Sequence, residues 1–114
     1  MITVYGIKNC DTVKKARRWL DEHNISYQFH DVRTDGLDEE MLRTWLQHIN
    51  WDVLLNKRGT TWRKLSDQDK NNIDEAKAIS IMLEQPAIIK RPVLETGSTI
   101  QVGFNADDYQ QLLT

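Results

Sequence analysis

A single cysteine, Cys10, stands among the 114 residues, and that scarcity excludes an intramolecular disulfide framework. It also excludes a dithiol mechanism within one chain, because Asp11, Thr12 and Val13 occupy the positions where a second thiol at redox spacing would stand. No apolar run approaches the roughly 18–20 residues of a membrane span. No apolar stretch with a cleavage site opens the chain, where charge begins at Lys8. Neither sign of charge dominates: fifteen Lys and Arg against seventeen Asp and Glu leave a net charge of −2. That balance gives no broad attraction to nucleic acid or to an anionic membrane. There is no phosphate loop, dinucleotide fingerprint or nucleophile-elbow serine. His23, His30 and His48 lack metal-ligand spacing, and one cysteine cannot complete a set with them. These absences lead us to expect a cytoplasmic monomer, its thiol kept reduced, with no metal or bound cofactor and neither nucleic acid nor membrane as a partner.

What is present suits one soluble domain over residues 1–114. The chain is long enough for a single core, and 39% apolar with 28% charged residues is ordinary composition. Three of the four Trp, at positions 45, 51 and 62, fall in the middle third, so that region is expected to have its own packed structure.

Met1 to Tyr5 alternates as a short strand that Gly6 breaks. Val13, Ala16 and Leu20 recur at helical spacing from Cys10 to His23, Asn24 is a left-handed stop, and Tyr27 to Val32 reads as a second strand. Strand–helix–strand is the pattern of a parallel pair joined by a crossover. Leu37, Met41, Leu42, Trp45, Leu46 and Ile49 mark a further helix, with Asp38, Glu39 and Glu40 in a first turn that favours negative charge. A shorter helical piece covers Trp51 to Leu55. Another helix begins near Ser66 or Asn72, carries Ile73, Ala76, Ile79, Met82 and Leu83, and stops before Pro86. Ala87 to Ile89 and Val93 to Glu95 are short strands either side of Arg91-Pro92. Gly97-Ser98 turns the chain into a strand over Thr99 to Val102, and Asn105 caps a last helix from Ala106 to Leu113.

Cys10 follows a strand and a glycine-containing loop and opens a helix, where free backbone N–H groups and the positive end of the dipole stabilise a thiolate. Lys8, Lys14 and Lys15 act in the same direction. Position alone does not separate an activated thiol from a buried, inert one. Arg58 and Arg91 each lie in a loop beside Gly or Pro. A guanidinium there can hold a carboxylate or oxyanion, or steady a thiolate, but a single Arg in isolation reads equally as a solvated surface charge. For Pro92 the sequence alone favours a trans peptide.

Three segments together resemble the arsenate reductase and Spx-like family. Tyr5-Gly6-Ile7-Lys8-Asn9-Cys10-Asp11-Thr12-Val13-Lys14-Lys15-Ala16 is similar to its amino-terminal strand–loop–helix. Leu55-Asn56-Lys57-Arg58-Gly59-Thr60 is similar to its Arg-Gly-Thr segment, and Ile88-Ile89-Lys90-Arg91-Pro92-Val93-Leu94 to its Lys-Arg-Pro segment. Their order and spacing match across essentially the whole chain, closest to the YffB-like subgroup.

The resemblance implies an α/β, thioredoxin-like fold: a mixed four-stranded sheet with a helical insertion over about residues 37–85. It implies Cys10 as the nucleophile, with Arg58, Arg91, Lys8 and Asn9 binding anions and Pro92 as a cis-proline facing the cysteine. It implies a thiol oxidoreductase with glutathione as co-substrate, the intermediate being resolved by glutathione or by a protein thiol of glutaredoxin type. Two further activities follow from other branches: partner binding without catalysis, as in the Spx regulators that contact RNA polymerase, and arsenate reduction. The family's glutaredoxin-dependent arsenate reductases carry a His four residues before the cysteine, where this chain has Gly6. They also carry a third Arg where this chain has Gly103-Phe104. Arsenate reduction therefore ranks last. Val13 stands where the Spx switch has its second cysteine, so a switch of that design is excluded.

Overall fold

A computed structural model describes residues 2–114, and the expectation of a strand beginning at Met1 falls outside them at its first residue. The described chain divides into two compact units: residues up to Asp35 together with Arg91–Thr114, and Gly36–Lys90.

In the first unit, β1 (Ile2–Gly6) and β2 (Tyr27–Asp31) pair in parallel, Ile2 opposite Tyr27 and Gly6 opposite Asp31. The crossover between them is α1 (Asp11–Glu22), which buries Val13, Ala16 and Leu20 along one face. Helix α1 ends in a Schellman motif: the Asn24 N–H donates to the Asp21 carbonyl and the Ile25 N–H to that of Leu20. That geometry needs a left-handed residue, and Asn24 supplies it at φ 56°. β3 (Val93–Glu95) runs antiparallel to β1, with Leu94 opposite Val4, and β4 (Ile100–Val102) runs antiparallel to β3. The sheet order is therefore β2-β1-β3-β4, the mixed thioredoxin-like sheet that the resemblance implies.

The last helix of this unit, α7 (Ala106–Leu113), is capped by the Asn105 side chain, which accepts from the Asp108 N–H. Val4, Leu94, Ala16, Leu20 and Tyr109 form one fully buried cluster, so α1 and α7 share a face of the sheet. The Tyr109 ring meets Trp19 and Phe104 edge-on, with centroids 5.6 and 4.8 Å away.

The second unit is helical: α2 (Glu39–Leu46), α3 (Trp51–Leu54), α4 (Thr60–Arg63), α5 (Asp67–Lys70) and α6 (Glu75–Glu84). Helices α2 and α3 pack on α6, and Leu42, Trp45, Leu54, Ala78, Ile79 and Met82 are buried. The apolar stripe from Leu37 to Ile49 outruns its helix at both ends; at the first, the Asp38 side chain caps α2 by accepting from the Met41 N–H at 2.9 Å, so Asp38 stands before the first turn rather than in it. Of the two starts expected for the next helix, Ser66 or Asn72, the later one holds: α6 begins just after Asn72, and Ser66 instead opens the separate short helix α5. Ser66 caps α5, Asn72 breaks the run at φ 54°, and Asp74 caps α6. Helix α4, begun by Gly59, was not expected.

Two strand readings need correction. Gly6 lies inside β1 rather than ending it at Tyr5. Residues 86–88 form a 3-10 turn, not a strand, because Pro86 has a fixed φ and no N–H to give a ladder. Only Ile89 is extended, bridging Leu55, with Asn56 N donating to Ile88 O and Lys90 N to Leu54 O, both at 2.8 Å.

Two substitutions test this packing. The fully buried Tyr109 hydroxyl has no hydrogen-bond partner among the described residues, and burial pushes its phenol far above the usual range. Tyr109→Phe keeps the ring contacts and removes the unpaired group, so the unfolding free energy in urea is expected to rise by about 1 kcal/mol. A Cβ on Gly6 would lie 2.7 Å from Val13 Cγ2, a stiff side chain with no exposure. Gly6→Ala is expected to lower the same free energy by about 1–3 kcal/mol.

Candidate active site

The loop between β1 and α1 carries the thiol. Its path starts where β1 and α1 approach closely, at the Gly6–Val13 contact that leaves no room for a side chain. The Gly6 carbonyl accepts from the Val32 N–H at 2.9 Å, and the Ile7 carbonyl accepts from the Cys10 N–H at 3.2 Å. Ile7 is buried, whereas Lys8 and Asn9 point their side chains into solvent.

Cys10 is the N-cap of α1, with extended backbone (φ −94°, ψ 125°), and its carbonyl accepts the first helical bond from the Lys14 N–H at 3.0 Å. The half-buried thiol is subject to opposing effects. Burial raises its pKa; the Val13 amide, the Arg91 side chain through a hydrogen bond and through its charge, and the Thr12 amide lower it. The lowering effects together prevail, and the thiol lies below its ordinary value. The contact falls short of a formed side-chain cap. The amides therefore favour the thiolate over a thiol that is only a weak partner for them.

Arg91 enters this site from the segment leading into β3, and the Arg91–Pro92 peptide is cis, as the resemblance implies. The Pro92 carbonyl accepts from the Gly103 N–H at 2.8 Å, tying the segment to the end of β4. Of the cations near Cys10 in sequence or by resemblance, Arg91 is the one that acts on the thiol, rather than Lys8, Lys14 or Lys15. The lysines are exposed, and an exposed ammonium is screened by water.

Arg58 belongs to the second unit. There it lines a cavity of about 420 Å³ with Lys57, Lys90, Asn56, Leu55, Val53 and Asp52. Its N–H donates to Asn56 Oδ1 at 3.1 Å. Lys57 lies over the rings of Trp51 and Trp62, 5.4 and 5.8 Å from their centroids.

One residue of the loop's surroundings escaped the sequence reading. Asp31, at the end of β2, is 2% exposed, and its carboxylate accepts three backbone N–H groups, from Arg33 (2.8 Å), Thr34 (3.2 Å) and Lys8 (3.2 Å). Burial raises its pKa, but the Arg33, Lys8 and Thr34 amides and the Lys8 charge lower it further, so the net shift is downward. An Asp closing a strand ahead of Thr34-Asp35-Gly36 is a recognisable turn signal. The bond to Lys8, 23 residues back, leaves no mark in local spacing.

A single thiolate beside one guanidinium at a helix start is equipped to attack an electrophilic sulfur and to hold the covalent product until another thiol releases it. Comparison with known proteins shows the family. A solved structure named YffB protein superposes with a TM-score of 0.96 at 53% identity, covering 100% of both chains. An arsenate reductase (ArsC) related protein from Brucella melitensis is 50% identical, with a TM-score of 0.80, over 96% of this chain and 92% of that one. The global transcriptional regulator Spx of Streptococcus mutans is 26% identical over 99% of this chain and 83% of its own length. The ArsC family model spans residues 5–112, from β1 through α7 and hence across Cys10, Arg58 and Arg91. The chain belongs to the ArsC family.

Proposed function

We propose that the protein is a glutathione-dependent thiol oxidoreductase with Cys10 as its one nucleophile, working in the reducing cytoplasm. The observation that carries this reading is the pairing of Cys10 with Arg91 at the start of α1, where amides and a guanidinium offset the burial of a thiolate.

The Cys10 thiolate attacks the glutathione-side sulfur of a mixed disulfide, forming a Cys10–glutathione disulfide and expelling the substrate thiolate, which takes a proton from water. The thiolate of a second glutathione attacks the glutathione sulfur of that intermediate. Oxidised glutathione leaves and the Cys10 thiolate is regenerated. The two electrons that reduce the substrate come from two glutathione thiols, one already joined to the substrate, so no metal or prosthetic group takes part. A glutaredoxin-type protein thiol can replace the second glutathione in the same step. Arg91 holds the charge on Cys10 before attack and after release. Arg58, with Lys57 and Lys90, offers positive charge for an anionic group within the second unit. Lys8 and Asn9 flank the thiol from the loop.

Kinship with Spx favours a second reading, a partner-binding domain without catalysis. Affinity capture of a stable partner, unchanged by Cys10→Ser, is the result that would support it. Arsenate reduction ranks below both, because neither Gly6 nor Gly103-Phe104 supplies the His or the third Arg of the arsenate-reducing branch.

Iodoacetamide alkylation across pH, with Cys10→Ser as blank, tests the activated thiol. The rate is expected to rise with pH and level off below the free-thiol value of about 8.5. Deprotonation creates the nucleophile, and the groups around Cys10 favour the deprotonated form. Arg91→Ala is expected to move that midpoint upward, with Arg91→Lys in between. An unmoved profile would show that Arg91 does not act on the sulfur. Oxidised glutathione is then expected to give a single glutathione adduct on Cys10 by intact mass, removed by reduced glutathione. A reactive Cys10 that forms no such adduct would sink the glutathione dependence.

A further inference from the structure

Asp31 is the one buried charged side chain among the described residues. A carboxylate withdrawn from water is costly unless its oxygens are used. Here both are, and they are divided between two parts of the chain. Oδ1 serves the turn after β2, accepting the N–H groups of Arg33 and Thr34. Oδ2 reaches back 23 residues to the Lys8 N–H.

The turn does not need the second oxygen. Asp35 Oδ2 already accepts the Asp31 N–H at 2.9 Å, and the Asp35 N–H donates to the Asp31 carbonyl at 2.8 Å. For the turn alone one acceptor would suffice, and an Asn could provide it. The loop, by contrast, has little else to fix its middle. Lys8 and Asn9 are exposed, so no packing of their side chains holds them. The other backbone tethers are the Gly6 carbonyl, held by the Val32 N–H, and the Ile7 carbonyl, held within the loop by the Cys10 N–H. The Lys8 N–H belongs to the same peptide unit as the Ile7 carbonyl, two residues before the thiol, and ties that unit to a group outside the loop. The charged groups around the carboxylate are Lys8, whose ammonium favours its ionised form, and Asp35 on the same turn.

We propose that Asp31 is the positioning residue of the nucleophile loop: by holding the Lys8 amide, its carboxylate fixes Cys10 against the first turn of α1 and against Arg91. This rests on reading Cys10 as the nucleophile. A small displacement of Sγ weakens its interactions with the Thr12 and Val13 amides and with Arg91, which depend steeply on distance and angle. Asp31 touches no reacting atom and acts through the backbone alone.

The test compares Asp31→Asn with Asp35→Ala in the full chain, reading thermal stability and the pH profile of Cys10 alkylation. Asn keeps one carbonyl oxygen for the turn but turns a donor toward the Lys8 amide. Asp31→Asn is therefore expected to raise the midpoint of the profile by about one pH unit, slowing alkylation about tenfold at pH values well below the wild-type midpoint. Asp35→Ala loosens the same turn without touching Lys8, and is expected to lower the melting temperature while leaving the profile in place. A profile unmoved in Asp31→Asn, or moved equally by Asp35→Ala, overturns the proposal. An ordinary thiol in the wild-type protein is a different result, since it removes the nucleophile reading itself. The anchor is then judged by hydrogen exchange of the Lys8 amide in the wild-type protein, as it is if Asp31→Asn fails to fold. Exchange at least about tenfold slower than in a random coil supports the anchor, and random-coil exchange overturns it.

Discussion

A thiolate loses hydration when the protein covers it, and the first unit is arranged around replacing what is lost. Half-burial of Cys10 is the largest single effect on its thiol, and it favours the neutral form. Against it stand the amides of Thr12 and Val13 and the guanidinium of Arg91. None of these is near enough to act unless three separate pieces of chain hold their places. Helix α1 must begin at Cys10, β1 must deliver the loop there, and the segment before β3 must bring Arg91 to the sulfur. Removing the sheet would scatter all three.

The close approach of β1 to α1 supplies the delivery. Gly6 is tolerated in the strand because Val13 occupies the space a side chain would take, and Val13 is fully buried. The residue whose amide faces the sulfur is therefore also the one packed against the strand that carries the loop. Core packing and thiol electrostatics meet in Val13, which couples stability to reactivity at that position. Arg91 is placed by a comparable arrangement. Val93 pairs with Tyr5 of β1 and with Val102 of β4, and Gly103 holds the Pro92 carbonyl.

Much of this was legible in the sequence, for identifiable reasons. Apolar spacing located α1, α2 and α6, because Val13, Ala16 and Leu20, or Leu42 and Trp45, bury one face of a helix. Asn24 and Asn105 were readable because their chemistry at helix ends is local. The clustered Trp anticipated a separately packed middle, which is the second unit. The failures were also local readings. Ala87 to Ile89 looked like a strand by composition, but Pro86 imposed a turn. Spacing alone left the start of α6 open between Ser66 and Asn72, and the left-handed Asn72 decides it. At the site, Cys10 was visible from its place after a strand, whereas the pairing with Arg91 joins residues 81 positions apart and came only through resemblance. Asp31 was invisible because its decisive bond is to a distant backbone amide, which has no side-chain signature.

The Gly6–Val13 contact also bears on which electrophile this site suits. The arsenate-reducing branch of the family, as the resemblance describes it, places an imidazole four residues before the cysteine. Here that position cannot accept even a methyl group without moving Val13. Within the first unit, activation of the thiol is left to backbone amides and a single guanidinium. An oxyanion carrying two negative charges needs more positive charge than one guanidinium offers if it is to approach a thiolate. A disulfide is neutral at the reacting sulfur. Its attack requires only that the nucleophile be deprotonated and that the departing thiolate not be repelled. A thiol activated by two amides and one guanidinium is thus better matched to sulfur exchange than to oxyanion reduction. The constraint that sets this preference is the packing of one strand against one helix.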